Sequence, residues 1–176
     1  MERIDPFCTV RPLAHLSALP AAGANRCAIE VVPATIEHAR RIDLRPGDRR
    51  EIDVLGLTMP EAFAISTARD VWSQTYLIDG EIAAMVGLSA NSILGGWGSP
   101  WLVTGSPVDR HARLFLKETR AGVERMKAQF PKLSNYVHAE YAQTVRWLRW
   151  LGFSIGAPQP MGPFGAPFRL FSMGMN

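Results

Sequence analysis

The stretch from Arg146 to Phe153, R-W-L-R-W-L-G-F, constrains the fold of this chain more than any other. Its tryptophans and leucines gather on one side of a short helix, Gly152 closes that helix, and an apolar strand follows. At 176 residues the chain is long enough for one domain with a real core. Hydrophobic residues at 47% against 20% charged exclude wholesale disorder.

Around that stretch the pattern alternates between strand and helix. Residues 1–26, with Pro6, Pro12, Pro20 and Gly23, show no period and read as an N-terminal arm. Within it, Leu13, Leu16 and Leu19 allow one short turn. A first strand is expected from Cys27 to Val32, then a helix capped by Thr35, a second toward Val54, and a third opened by Pro60 and ending at Thr67. Trp72–Ile78 and Glu81–Leu88 read as a hairpin around Asp79-Gly80, a pair suited to a turn with positive φ. A strand at Pro100–Thr104 leads into the longest helix, Val108–Gln129. Gly122, on that helix's apolar face, suggests close packing against a strand. A strand at Leu133–Ala139, a helix at Ala142–Leu151 and two closing strands complete an α/β sandwich around a mixed sheet.

The net charge of +3 is too small to indicate nucleic-acid binding. Two cysteines make no disulfide framework and favour a reducing compartment, and with four scattered histidines they offer no metal-ligand spacing. No secretory signal and no bilayer-length apolar run is visible. The tryptophans Trp97, Trp101, Trp147 and Trp150 have the spacing of core or interface residues.

The element order resembles the GNAT superfamily, the acetyl-coenzyme A dependent N-acetyltransferase fold, from about Cys27 to the C-terminus. The resemblance implies a centrally splayed sheet flanked by helices, a domain over 27–176 and the arm before it. Within that group the chain looks like the GNAT-like internal virion proteins of short-tailed phages. The cues are P-W-L-V-T-G at Pro100–Gly105, F-P-K-L-S-N-Y-V at Phe130–Val137, R-W-L-R-W-L-G-F, and G-A-P-F at Gly165–Phe168. It implies a virion or host-cytoplasm location, virion or assembly partners engaged through residues 1–26 and exposed aromatics, and leaves homo-oligomers open.

GNAT enzymes hold the coenzyme diphosphate on backbone N–H groups of a glycine-rich loop between a strand and the long helix. The matching stretch here, Thr104 to Leu114, has Gly105 and then no glycine before Gly122; Pro107 lacks a donor and Asp109 is anionic. If the site works, Thr104, Gly105, Val108, Asp109, Arg110 and Arg113 would hold acetyl-coenzyme A, the two arginines supplying charge. The plainer alternative makes Ser106 or Asp109 a helix cap. The tyrosine that often serves as general acid corresponds to Leu148, and the asparagine opening that helix to Tyr141. Glu140 and His138, at the end of their strand, are the candidate bases; the plainer alternative makes them the polar outer face of a strand end. Two functions follow. One is a virion or morphogenesis component with a decayed coenzyme site; the other is an active acyl-coenzyme A N-acyltransferase with an atypical phosphate loop.

Overall fold

The computed structural model describes Val10–Arg11 and residues 28–175. Its elements run β1 (Val10–Arg11), β2 (Ile29–Pro33), α1 (Ile36–Arg41), α2 (Pro46–Val54), α3 (Met59–Thr67), β3 (Asp70–Ile78), β4 (Glu81–Ser92), β5 (Trp97–Thr104), α4 (Pro107–Arg110), α5 (Ala112–Gln129), β6 (Lys132–His138), α6 (Ala142–Trp150), β7 (Ser154–Met161) and β8 (Ala166–Met173). The strands form one mixed sheet in the order β1-β2-β3-β4-β5-β6-β8-β7. Of the expected arm only β1 is described, lying parallel beside β2. The turn expected around Leu13, Leu16 and Leu19 lies outside the described residues, as does Cys27.

Local chemistry accounts for most boundaries. Thr35 caps α1 through the His38 N–H, and Thr58 with Glu61 forms a reciprocal capping box at α3. Asp79 and Gly80 both take positive φ (51° and 82°) and join β3 to β4. At the end of α6, Gly152 adopts φ 96°, and the amides of Gly152 and Phe153 return to the carbonyls of Arg149 and Leu148. This paired closure brings Phe153 back onto Leu148 in the core, as the opening motif requires. The prolines of β7 are tolerated because β7 is an outer strand.

The helix expected over Val108–Gln129 is in fact two. Val108 is buried against Ile29, Ile78 and Ala83, which holds the α4 turn on the sheet; His111 then leaves helical geometry and α5 departs on its own axis. Neither proposed cap operates: Ser106 makes no side-chain cap bond, and Asp109 pairs with Arg45 at 3.0 Å.

Two apolar layers cover the sheet. On one face Val123, Met126 and Phe130 join Val145 and Leu148 of α6 over Leu88, Leu133, Val137 and Phe171. On the other, Ala39, Ile52, Met59 and Phe63 of α1–α3 cover Met85, with Trp101 and Val103 alongside. Between β5 and β6 the sheet opens. The strands pair only at Trp97↔Lys132 and Gly98↔Leu133, and then diverge toward their C-terminal ends. Asn135 reaches over the gap to donate to the Pro100 carbonyl at 3.0 Å.

Candidate functional site

Parallel strands that part leave a crevice at their carboxyl ends, where ligands of α/β sheets commonly bind. Here α2 lies across that crevice. Its sequence P-G-D-R-R-E puts Asp48 and Glu51 three residues apart, on one helix face. Thr104 at the end of β5 donates to Asp48 Oδ2 at 2.6 Å, and the His138 amide at the end of β6 donates to Glu51 Oε2 at 3.1 Å. The carboxylate pair thus joins the two separated strands. Tyr141, at the start of α6, places its hydroxyl 3.4 Å from Asp48 Oδ2. Its ring occupies the space left by Gly47, where any Cβ would fall inside the ring.

The electrostatics of the pair are unusual. Burial pushes the Glu51 carboxyl up to about 7, against the opposing effect of the His138 N–H, and the nearby Asp48 charge adds to the rise. Asp48 is also raised by desolvation, although Thr104 and the Arg45 cation favour its charge. Tyr141 is raised by burial first and by Asp48 second. A carboxyl half-ionised near neutrality, beside a phenol at the mouth of a crevice, can take and return protons. Asp48, Glu51, Thr104 and Tyr141 line a cavity of about 940 Å³ that extends from this mouth through the splay, beneath α5 on one face and against Leu57, Met59 and Phe63 on the other.

Of the bases expected from sequence, His138 lies at the crevice, but the residue is 4% exposed, its ring meets Phe168 edge to face, and its pKa is lowered by desolvation. Its contribution to the cluster is its backbone amide. Glu140 is exposed and paired with Arg50 at 2.6 Å, outside the cluster. Asp48 and Glu51 were not anticipated. The only sequence signal was two carboxylates one helical turn apart, a spacing that solvated helix faces share.

The residues expected to hold the coenzyme divide similarly. Thr104 is part of the carboxylate cluster, whereas Val108 is core and Arg110 pairs with Glu81 at 2.5 Å. Arg113 is exposed. Five amides of the α4 turn are committed within the chain. Those of Gly105 and Ser106 donate to Ala83 and Asp43, and those of Val108, Asp109 and His111 to Gly105, Ser106 and Val108. Gly105 is small because a Cβ would run into the Ile82 carbonyl oxygen, and not to admit a phosphate. With those five amides spent and none on Pro107, the α4 turn offers no run of consecutive free backbone donors for a diphosphate. Leu148, at the position of the expected acid, is 4% exposed in the core.

Gly122 corrects a further expectation. A Cβ there would find only Arg125 Nη2 at 3.8 Å, so the residue opens onto the cavity instead of packing against a strand. Among the tryptophans, Trp97 donates to Ser134 and Trp72 to Gln129, while Trp150 is half exposed beneath Arg120. Among the described residues no helix is long and apolar enough to cross a membrane.

No family model and no curated protein matches the sequence. Solved structures do match in fold. The acetyltransferase of the GNAT family from Streptococcus pneumoniae is 15% identical, with a TM-score of 0.55, over 82% of this chain and 98% of that one. Ard1 from Thermoplasma volcanium is 11% identical at a TM-score of 0.62, over 82% and 95%. The ribosomal-protein-S5-alanine acetyltransferase from Vibrio fischeri is 12% identical at 0.55, over 84% and 94%. With the splayed sheet and the helix order described above, these likenesses establish that the chain has the GNAT acetyltransferase fold.

Proposed function

We propose that this protein is an acyltransferase of the GNAT fold in which Glu51 is the general base and the donor is not anchored by a diphosphate cradle. The observation that carries this reading is the desolvated Asp48–Glu51 pair tied across the mouth of the splay, with Glu51 poised near 7. In its charged form Glu51 accepts the proton that an acceptor amine must lose when it attacks an acyl carbonyl. Tyr141 supplies a nearby phenol hydroxyl, and Asp48, held by Thr104, keeps that hydroxyl in place.

The test is release of free thiol from a panel of acyl thioesters with primary amines. Wild-type protein is expected to turn over at least one pair, and Glu51→Gln to lose roughly 100-fold or more, the usual share of a general base.

A second reading is favoured by the committed amides around α4. In it the domain is a virion or assembly component of a phage, with a decayed donor site, and the exposed Phe164 and Trp150 serve partner contacts. No turnover with any thioester, together with no heat of binding for acetyl-coenzyme A, would select this reading.

A further inference from the structure

The first half of α5 rests on the sheet through Leu114 and Phe115, which pack against Ile29, Ile78 and Ala83 without being buried. Only Val123 and Met126 of this helix are buried, whereas Phe115, Thr119 and Gly122 line the cavity. The lining runs along α5 from Ala112 to Met126, about 21 Å at ~1.5 Å per residue. Trp72, Tyr76 and Val86 form the opposing wall, and Trp147 closes one side, stacked on Phe115 with ring centroids 5.7 Å apart. The cavity of about 940 Å³ passes through the splay, with one lobe under α5 and another lined by Leu57, Met59 and Phe63 on the opposite face, so the α5 lobe is a part of a volume within the roughly 300–1,000 Å³ of small-molecule sites. An acetyl group would fill little of it, being of the order of a few waters at ~30 Å³ each. Trp147 belongs to the α5–α6 side of the sheet, whereas Trp101 packs on Phe63 on the opposite side.

We propose that the cavity under α5 houses a long unbranched alkyl chain, the tail of a fatty acyl group whose head lies at the Thr104–Glu51 mouth. The length of the chamber calls for an extended occupant, and its walls call for an apolar one. Binding energy that the α4 amides cannot give to phosphates is replaced by apolar surface removed from water along α5. The role of this chain as the transferred group rests on the acyltransferase reading; its binding does not.

Primary alcohols test the binding without a donor, and their uncharged heads avoid repulsion by Asp48 and Glu51. Octanol, decanol and dodecanol, each below its solubility limit, are titrated against the full chain while tryptophan fluorescence is followed. Saturable binding of one molecule per chain is expected, tightening about tenfold for each added pair of methylenes. Gly122→Leu projects a side chain into the chamber and is expected to weaken dodecanol by about tenfold or more. Gly122→Ala, a smaller intrusion that also favours helix, should cost much less. Binding that does not saturate, does not depend on chain length, or is unchanged in Gly122→Leu overturns the proposal. Length-dependent alcohol binding with no thioester turnover would uphold the chamber and sink the acyltransferase reading. Turnover of acetyl thioester alone, with no alcohol binding, would do the reverse.

Discussion

Glu51 shows how much one residue depends on its placement. In the folded chain its carboxyl keeps a proton up to about 7, whereas in the unfolded chain it loses it near 4.5. The folded state therefore binds more protons between those values, and stability falls as pH rises through that window. Glu51→Gln removes this contribution. Denaturant unfolding at about pH 5 and about pH 8 should give a stability difference smaller by roughly 2 kcal/mol in the variant, after allowance for solvent screening. Asp48, raised in the same direction, keeps some slope in the variant. If Glu51 is the base, the wild-type transfer rate should climb through about pH 7, because only the carboxylate accepts a proton. Two glycines make a paired test at the same scale. Gly105→Ala forces a Cβ into the Ile82 carbonyl and should destabilise by about 1–3 kcal/mol. Gly122→Ala meets open space and should stabilise by about 0.5–1 kcal/mol in the same unfolding assay.

At the scale of elements, α5 is divided in its anchoring. Val123 and Met126 tie its second half to the core as buried residues, whereas Leu114 and Phe115 of the first half stay partly exposed where they pack on Ile29, Ile78, Ala83 and the Trp147 ring. Amide hydrogen exchange should be faster from about residue 114 to 119 than from about 123 to 129, since opening the first half exposes little buried surface. Equal protection along the helix would mean that the chamber closes down in solution. Helix α3 carries a different kind of anchor. Thr58→Ala removes the capping box and should cost about 1 kcal/mol, read as a shift in the thermal midpoint.

For the whole molecule the weak point is the seam between β5 and β6, where two residue pairs join the halves of the sheet. What holds the seam is side-chain chemistry laid across it: Asn135 to Pro100, and α2 tied to β5 through Asp48 and to β6 through Glu51. The second half depends on β8, which pairs with β6 along Leu133–His138 and with β7 on its other side. It also contributes the buried Phe168 and Phe171. Deleting residues 166–176 should abolish the cooperative unfolding transition, because β6 and β7 lose their shared partner and the core loses two aromatic side chains.

The sequence by itself determined what short-range forces decide. Helix closure at Gly152, the Asp79-Gly80 turn, the cap at Thr35 and the alternation of strands and helices follow from backbone sterics and from residues a few positions apart. The proline and the single glycine of the α4 turn are local facts of the same kind. Tertiary structure alone decided which carboxylates matter. Glu140 and Glu51 are equally acidic on paper, but Arg50 holds one in solvent and the splay desolvates the other, from 87 residues away across the crevice from His138. It also decided that Gly122 opens onto a chamber instead of packing tightly, because the distance of a helix from a sheet is set by the sum of long-range contacts. Local periodicity identifies the face of a helix, and only the assembled fold decides what that face meets.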